Sequence, residues 1–333
     1  YSGLSGFRQV CRILEDNGIR LSHMIEREFF LEVYAFLATK HILSTIDWDN
    51  YQTDPIFQLI FPQPGMIDPK IVDEYIQITD EVERKKMVVR YRDKTNPHDG
   101  KQILNRPSFY SEEGSFEALD GAQHKYPQVL LLFDKTTQSC YAYCTYCFRH
   151  AQVRGDEDMF VQYSVSQLHD YLKKHKEITD ILITGGDAGY MPTQRLNEYL
   201  EAVMEDPELM HIKTVRIASR ALTYQPEIIL NAKYKATLEL FKKLIDHGIQ
   251  VLWMGHFSVP KELLNIHTLA AIRRLRACGI KKRSQSPIMN HVSLYTDHQR
   301  KVDVDRSAQN WIDLAHVIMI LGINFHSIYC ARP

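Results

Sequence analysis

The stretch Cys140-Tyr141-Ala142-Tyr143-Cys144-Thr145-Tyr146-Cys147 follows an apolar run, Val129-Leu130-Leu131-Leu132-Phe133, and these two segments decide how the rest of the chain is interpreted. The three cysteines have the spacing C-x3-C-x2-C. Cysteine thiolates hold iron–sulfur clusters, often in short C-x-x-C runs, so this spacing favours a [4Fe–4S] cluster. Three ligands for four irons leave one iron open, and an open position is typical of catalytic rather than structural metal sites.

Two other interpretations of these cysteines remain open at this point. The thiols could bind zinc with His150 as the fourth ligand, or they could have no special role. The position of the motif after a predicted strand favours the cluster, because a motif gains weight from its structural context.

The bulk composition is that of an ordinary soluble globular protein. The chain has 333 residues, enough for one large domain and a smaller one, and is 44% hydrophobic and 24% charged. A net charge of −1 gives no reason to expect electrostatic capture of nucleic acid or of an anionic membrane. The best candidate for a membrane span, Trp311 to Ile323, is too short and carries Asp313 and His316. It predicts a buried helix that leads into a strand.

The six cysteines are better explained without disulfides. Three form the motif above, and the other three, Cys11, Cys278 and Cys330, are scattered and predicted to be small buried hydrophobes. Unbridged thiols beside a cluster motif indicate a reducing compartment, so we expect a cytoplasmic protein. Because the chain begins at Tyr1 rather than Met and ends at Pro333 directly after a predicted strand, we expect both ends to be trimmed.

Residues 1 to about 90 are predicted to be helical. Leu21 to Leu43 places its apolar residues at helical spacing, and Asp68 and Pro69 suit the N-cap and first position of a further helix. We expect these helices to form a packing layer. Residues 93–123 are polar and rich in Gly, Ser, Asn and Asp, and predict a long loop.

From residue 128 the pattern becomes strand, loop and helix, repeated. Such alternation predicts parallel strands with crossover helices, and six units without a Rossmann glycine fingerprint suit a partial (β/α)6 TIM-type barrel. The fold class is therefore α/β, with an N-terminal helical region over 1–122 and the barrel over 123–333. In such barrels the chemistry lies at the C-terminal ends of the strands. The predicted strands cover 129–134, 180–184, 213–218, 250–255, 281–288 and 324–329, and the helices 164–175, 193–204, 234–247, 267–278 and 308–321.

Polar residues follow each predicted strand. In Thr184-Gly185-Gly186-Asp187, two glycines allow a close backbone approach and the carboxylate can accept from an ammonium group, although the sequence is also an ordinary turn. Arg216-Ile217-Ala218-Ser219-Arg220 offers guanidinium groups for a carboxylate or phosphate, or else for structural salt bridges. His256 and Gln285 follow as further candidates, each with a purely structural alternative.

The cysteine motif closely resembles that of radical SAM enzymes, in which the open iron binds S-adenosylmethionine (SAM) and an electron releases a 5′-deoxyadenosyl radical. Tyr146 holds the aromatic position that this superfamily favours before the third cysteine. Within the superfamily, most of residues 50–330 resembles the lysine 2,3-aminomutase family. The segments that carry this resemblance, in family order, are Asp54-Pro55-Ile56, His124-Lys125-Tyr126-Pro127, Cys147-Phe148-Arg149, Thr184-Gly185-Gly186-Asp187, Arg216-Ile217-Ala218-Ser219-Arg220, His256-Phe257, Ser284-Gln285-Ser286 and Ile328-Tyr329.

The resemblance implies a role for each matching residue. Those enzymes move an amino group between neighbouring carbons of an amino acid, using the adenosyl radical and pyridoxal phosphate (PLP). By position, Cys140, Cys144 and Cys147 hold the cluster, and Arg149 grips the substrate carboxylate. The residues implied to lie near SAM or PLP are Tyr146, Gly185, Gly186, Asp187, Arg216, Ser219, Arg220, His256 and Gln285.

Lys125 and Tyr126 match the pair beside the PLP phosphate, where the family usually has Arg. Lysine keeps the charge there but loses the bidentate fork. The family anchors PLP on a lysine beyond the sixth strand, and this chain ends before such a segment, so the use of PLP stays open. Arg332 falls where the lysine enzymes place an Asp that holds the distal amine. A guanidinium there predicts a substrate other than lysine, with a distal acidic group as in glutamate.

Two alternatives to an aminomutase remain. One is a PLP-independent radical SAM epimerase, dehydrogenase or modifying enzyme, and the other is a non-catalytic metal-binding protein. As partners we expect an amino-acid-like small molecule, an electron donor of the flavodoxin or ferredoxin type and further copies of this chain. We expect neither nucleic acid nor a membrane as a partner.

Overall fold

The structure is a computed structural model that describes residues 1–96, 105–111, 113–150, 160–162, 164–297, 299 and 301–330. Arg332 lies outside these residues, so its predicted contact with the substrate stays a prediction. No helix among the described residues combines the length and apolar character that crossing a membrane requires.

A curled seven-stranded sheet forms the centre of the molecule and confirms the predicted partial barrel. The strands lie side by side in chain order. The first is antiparallel to the second, and the remaining six are parallel to one another. The strands are β3 (Ala122–Tyr126), β4 (Val129–Phe133), β5 (Asp180–Thr184), β6 (Thr214–Ala218), β7 (Gln250–Gly255), β8 (Lys281–Ile288) and β9 (Asn324–Cys330); a separate hairpin contains β1 (Ser108–Tyr110) and β2 (Phe116–Ala118).

Crossover helices connect the parallel strands, as the alternating pattern predicted. Each long crossover helix agrees with its predicted bounds within a few residues, because its apolar stripe repeats over at least three turns. Two short helices after β6 were not predicted, since four residues are too few to show a helical period. The helices of this part are α7 (Val165–Lys174), α8 (Thr193–Glu205), α9 (Ala221–Tyr224), α10 (Glu227–Leu230), α11 (Lys235–Asp246), α12 (Ile266–Ala277) and α13 (Val304–Ile320).

The N-terminal region is helical, but the predicted helix from Leu21 to Leu43 is wrong. Helix α2 ends at Val33, since Tyr34 leaves helical geometry with φ −104° and ψ −122°, and Leu37 then pairs with Ser2 in a β-bridge. The predicted cap at Asp68 is confirmed, because its side chain accepts from the backbone N–H of Lys70. The helices of this region are α1 (Gly3–Asp16), α2 (Met24–Val33), α3 (Lys40–Ser44), α4 (Pro55–Ile60), α5 (Pro69–Gln77) and α6 (Glu81–Thr95).

The loop predicted over residues 93–123 is also partly wrong. The hairpin of β1 and β2 lies within it, β3 begins at Ala122, and residues 97–104 and 112 fall outside the described residues. Each hairpin strand has only three residues, and Tyr110 and Phe116 are exposed, so no alternating apolar pattern marks them.

The helical region packs directly against the barrel. One cluster of buried apolar side chains runs through both. The backbone N–H of Tyr143 donates to Leu37 O at 2.9 Å, and that of Thr145 donates to Leu59 O at 2.8 Å. The cysteine loop is therefore held by main-chain bonds from the helical layer, which supports the predicted packing role. The domain boundary near residue 122 stays a prediction.

Gly121 provides a stability test where the sheet begins. Its φ is +65°, and a Cβ there would lie 1.9 Å from the nitrogen of Gln162. Gly114 has φ +80° and open space around it. We expect Gly114→Ala to lose about 1 kcal/mol from the left-handed conformation alone. Gly121→Ala adds a backbone collision and should cost at least about 2 kcal/mol more. Urea unfolding followed by circular dichroism measures both losses, and equal losses would contradict this packing.

Candidate active site

The cysteine loop begins at the C-terminal end of β4. The first residue after the strand, Asp134, is fully buried and accepts hydrogen bonds from Arg195 Nε at 2.8 Å, Tyr199 Oη at 2.7 Å and the backbone N–H of Thr136 at 2.8 Å. These donors fix the start of the loop at the end of the strand. The motif thus lies at the edge of the barrel where the fold predicts chemistry.

The three motif thiols lie close enough together to interact electrostatically. Burial, followed by the neighbouring thiols, raises the pKa of Cys147 to about 12 and that of Cys140 well above its usual range. Thiolates are therefore unfavourable here unless a cation compensates their charge. Bound iron would supply that charge, so the donor set fits an iron–sulfur cluster.

The zinc alternative does not fit this geometry. His150 faces the helical layer, where Nε2 lies 3.3 Å from Thr95 O and the ring lies edge-on to Tyr34 at 5.1 Å. A metal-ligand group is taken here as three or more His, Cys, Asp or Glu side chains whose ligand atoms all lie within 4.8 Å of one another. Among the described residues, the one group of this kind lies elsewhere in the chain and contains none of the three motif cysteines. The thiols are therefore not gathered around a single small ion.

The glycine pair after β5 presses against the cysteine loop. Gly185 has φ +144°, and a Cβ there would lie 2.3 Å from Thr137 Oγ1. A Cβ on Gly186 would lie 2.7 Å from Ser139 O and 3.0 Å from Cys140 Sγ. The sequence predicted that these glycines allow the backbone to approach a ligand. The close neighbour in the structure is instead the loop that carries the cysteines.

Asp187 joins the ends of β5 and β6. Its Oδ1 accepts from the backbone N–H of Gly189 at 2.7 Å, and its Oδ2 accepts from that of Arg220 at 2.8 Å. Burial raises the pKa of Asp187 to about 6, although the hydrogen bonds from Ser219 and the backbone oppose this rise. The predicted contact of this carboxylate with the amino group of SAM stays a prediction.

Arg220 contacts a motif cysteine and forms a buried ion pair within the site. Its Nη1 lies 3.2 Å from Cys144 Sγ and 3.0 Å from Tyr146 Oη. Its Nη2 pairs with the carboxylate of Glu262, which also accepts from the backbone N–H groups of Ser258 and Val259. The guanidinium is therefore buried, paired and directed at a motif sulfur.

Tyr224 makes a second polar contact to the same sulfur. Its hydroxyl lies 2.8 Å from Cys144 Sγ, and the guanidinium of Arg220 stacks over its ring at 4.4 Å. Neither Tyr224 nor Glu262 was predicted as a site residue. Tyr224 lies in a four-residue helix and Glu262 in a three-residue 3-10 helix, so their position after β6 and β7 is the one signal that could have indicated them.

His256 directly follows β7, Gln285 lies within β8 and Arg149 belongs to the cysteine loop, and the three come together beside the cysteines. Gln285 hydrogen-bonds to His256, and its Nε2 donates to Tyr329 Oη at 3.0 Å. Arg149 packs over the ring of Phe133 at 4.3 Å, and burial lowers the pKa of its guanidinium to about 10. The positive charges of Arg149 and Arg220 both act on His256.

Three predicted site residues lie away from this group. Arg216 Nε donates to Asp180 Oδ1 at 2.8 Å, at the start of β5, and so forms the structural ion pair that the sequence left open. Lys125 and Tyr126 lie at the end of β3, where Tyr126 pairs with Val129 at the start of β4. They are therefore at the opposite end of β4 from the cysteine loop, because β3 runs antiparallel to that strand.

Curated proteins named 2,3-aminomutases are similar to this chain. A protein of Aquifex aeolicus with the provisional name L-lysine 2,3-aminomutase is 29% identical over 269 residues, which cover 80% of this chain and 60% of that protein. The L-lysine 2,3-aminomutase of Clostridium subterminale is 28% identical, covering 57% of this chain and 43% of that enzyme. The glutamate 2,3-aminomutase of Clostridioides difficile is 25% identical, covering 51% and 37%.

These relatives confirm the resemblance to the lysine 2,3-aminomutase family that the motifs indicated. The chain spans 60% or less of the length of each of the three. No family model matches the chain.

Two solved structures match much of this chain at low TM-scores. Streptococcus suis SuiB bound to the precursor peptide SuiA has a TM-score of 0.38 at 14% identity, covering 81% of this chain and 48% of SuiB. A radical SAM methyltransferase from Sphaerobacter thermophilus has a TM-score of 0.31 at 10% identity, covering 97% and 93%.

The environment of His256 predicts a specific pH dependence. Burial, then Arg220 and Arg149, lower its pKa to about 4, so the folded protein keeps the imidazole neutral. The unfolded chain binds this proton near pH 6.5, and stability is therefore lost as the pH falls from about 6.5 towards 4. In His256→Asn the slope of unfolding free energy against pH should decrease by up to about 1.4 kcal/mol per pH unit in that window.

Urea titrations at several pH values measure this slope. His247→Asn, at an exposed position after α11, is the control for losing a histidine. An unchanged slope in His256→Asn, or an equal change in both variants, would contradict a neutral buried His256.

Proposed function

We propose that this protein is a radical SAM enzyme of the aminomutase-like type. In this proposal Cys140, Cys144 and Cys147 bind a [4Fe–4S] cluster that reductively cleaves SAM, and the protein moves an amino group between neighbouring carbons of an amino acid. The observation that carries the proposal is the open three-cysteine loop at the C-terminal edge of a partial (β/α)6 barrel. The names of the curated relatives support it.

The residues of this chain would hold and tune the cluster. When bound, the cluster supplies the electron that splits SAM into methionine and a 5′-deoxyadenosyl radical. The thiolates ligate three irons, and the Gly185-Gly186 turn seats their loop against β5. Arg220 and Tyr224 donate hydrogen bonds to Cys144, which lowers the negative charge on that sulfur.

Positioning and water exclusion are the other tasks of the protein. A primary carbon radical attacks almost any C–H bond within reach, so the geometry of the bound substrate selects which hydrogen is lost. Arg149 lies beside the cysteines, and a guanidinium suits a substrate carboxylate. His256 and Gln285 provide hydrogen-bonding groups at the same edge.

PLP fits the described residues less well than the cluster does. The pair predicted to bind its phosphate, Lys125 and Tyr126, lies at the opposite end of β4 from the cysteines, and Tyr126 is exposed. This placement favours a second candidate function, a PLP-independent radical SAM epimerase, dehydrogenase or modifying enzyme.

The substrate class rests on Arg332. A guanidinium at that position attracts a distal carboxylate and repels an ammonium group, so we propose an acidic amino acid rather than lysine. The relatives include enzymes named for lysine and for glutamate. A non-catalytic zinc protein is disfavoured, because the thiols are not arranged around a single ion.

The remaining partners complete the proposal. A one-electron donor of the flavodoxin or ferredoxin type would reduce the cluster, and the protein would form a homo-oligomer. All six cysteines are free, which suits a reducing compartment such as the cytoplasm.

Anaerobic reconstitution with iron and sulfide tests the cluster. We expect a [4Fe–4S] spectrum and, with SAM and dithionite, formation of 5′-deoxyadenosine. Cys144→Ala should abolish both, because two thiolates cannot hold the cluster. Cys278→Ala, which changes a cysteine outside the motif, is the matched control and should retain both. Absence of iron in the wild type, or 5′-deoxyadenosine formation by Cys144→Ala, would reject the function.

A panel of free amino acids tests the substrate class. With glutamate or aspartate we expect substrate-dependent 5′-deoxyadenosine and a product of unchanged mass. Arg332→Asp should lower turnover of the acidic substrate at least about tenfold, since a lost charged contact costs about 1.4 kcal/mol or more. Mass spectrometry measures the products. Turnover of lysine with no activity on acidic amino acids would reject the acidic substrate class. Repeating the reactions with and without PLP separates the two candidate functions.

The donors to Cys144 predict a shift in reduction potential. Hydrogen bonds to cluster sulfurs stabilise the more negative reduced state, so Tyr224→Phe should lower the midpoint potential on the order of 50 mV, equal to about 1 kcal/mol for one electron. Tyr75→Phe removes a hydroxyl in the helical layer, where it contacts Glu32, and is the matched control. Redox titration followed by EPR measures the shift, and equal potentials in both variants would contradict the predicted effect.

A further inference from the structure

A second group of metal-ligand side chains lies at the other end of the barrel from the cysteines. His124, His175 and Glu177 each offer one ligand atom, and these atoms all lie within 4.8 Å of one another. His124 is on β3, His175 follows the last residue of α7, and Glu177 lies in the connection to β5. The proposed function assigns no role to these three residues.

His124 is oriented as a metal ligand before any ion binds. Its Nε2 lies 3.0 Å from Pro127 O, and a carbonyl oxygen can only accept, so Nε2 carries the proton in the neutral ring. Its Nδ1 therefore holds a lone pair, to which the hydroxyl of Tyr171 donates at 2.7 Å. Metal-binding histidines commonly donate their other N–H to a backbone carbonyl in this way.

His175 and Glu177 provide the other two ligand atoms. Nδ1 of His175 lies 2.7 Å from Oε1 of Glu177, and both side chains are partly exposed, so an ion can reach them from solvent. The ring of His175 stacks on Tyr171 at 4.0 Å and meets the ring of His124 edge-on at 5.7 Å. Tyr171 thus holds the two imidazoles in a fixed relation to each other.

We propose that His124 Nδ1, His175 and Glu177 bind one divalent cation of the zinc class, with solvent completing the coordination shell. Two imidazoles and a carboxylate suit zinc better than magnesium or calcium, which prefer oxygen ligands. On binding, the Tyr171 hydroxyl turns away from His124 Nδ1, and the cation replaces the hydrogen on His175 Nδ1. A neutral His175 ring then carries its proton on Nε2, whereas a doubly protonated ring releases one proton to solvent.

The ion would act as a clamp between elements that are distant in sequence. It would join β3, the antiparallel edge strand of the sheet, to the connection between α7 and β5. A ligand that binds only the folded state stabilises it, so zinc should raise the temperature of unfolding. The site is distinct from the cysteine loop, and its test does not depend on the proposed reaction.

Calorimetric titration of the cluster-loaded protein with zinc alone tests the site. We expect one zinc per chain, with a Kd that rises at least about tenfold in His175→Ala and in Glu177→Gln. Both substitutions are at partly exposed positions, and circular dichroism checks that the variants fold. Tyr171→Phe should bind zinc at least as tightly, because the hydroxyl no longer competes for His124 Nδ1. His247→Ala, an exposed histidine elsewhere, is the matched control and should bind as the wild type does.

Thermal unfolding gives an independent measurement. The wild type should unfold at a higher temperature with zinc, and His175→Ala and Glu177→Gln should lose this increase. No zinc uptake by the wild type, or equal Kd values in these two variants and His247→Ala, would overturn the proposal. Zinc binding by free cysteine thiols, in place of the proposed site, would produce equal Kd values in all of these variants. Weaker binding by Tyr171→Phe would overturn the assignment of Nδ1 as the ligand.

Discussion

Close packing of the Gly185-Gly186 turn against the cysteine loop is the contact on which the rest of the site depends. Side chains at these two positions would collide with Thr137, Ser139 and the sulfur of Cys140. On its other side, the loop is bonded to the helical layer, because the backbone N–H of Tyr143 donates to Leu37 O. A loop fixed on both sides keeps its thiols in one arrangement, whereas a mobile loop would have to be ordered each time a ligand binds.

The buried charges around the loop follow from the same enclosure. Arg220 and Glu262 are both almost fully buried, and they pair with each other while also bonding to main-chain or site groups. Removing one member of such a pair commonly costs about 3–5 kcal/mol, because the other charge stays buried without compensation. The ion pair therefore fixes the direction of the Arg220 guanidinium towards Cys144. Loss of either Arg220 or Glu262 would disturb this part of the site.

Much of the barrel could be predicted from the sequence, because its signals are local. The bounds of β5, β7 and β8 agree with the predicted strands residue by residue. The hairpin of β1 and β2 could not be predicted, since its strands are short and its aromatic residues are exposed. The break after α2 was also missed, because Phe36 and Leu37 continue the apolar spacing although Leu37 pairs with Ser2 in a β-bridge.

The candidate site was predictable where position along a strand decides location. His256 directly follows β7 and Gln285 lies within the neighbouring strand β8, so the two meet at one edge of the sheet. Lys125 and Tyr126 were expected beside the cofactor, but a motif gives the order of residues and not the end of the strand at which they lie. Arg216 shows the same limit, since its side chain extends back to Asp180 at the start of the neighbouring strand.

The chain-order arrangement of the sheet has a consequence for biogenesis. Each strand from β3 to β9 borders the next one along the chain, so a nascent polypeptide can add them one by one as it leaves the ribosome. The cysteine loop is synthesised before Gly185, Gly186 and Arg220, which later enclose it. Its thiols therefore stay accessible during synthesis until those strands form, and the loop is enclosed only after β6 has been made.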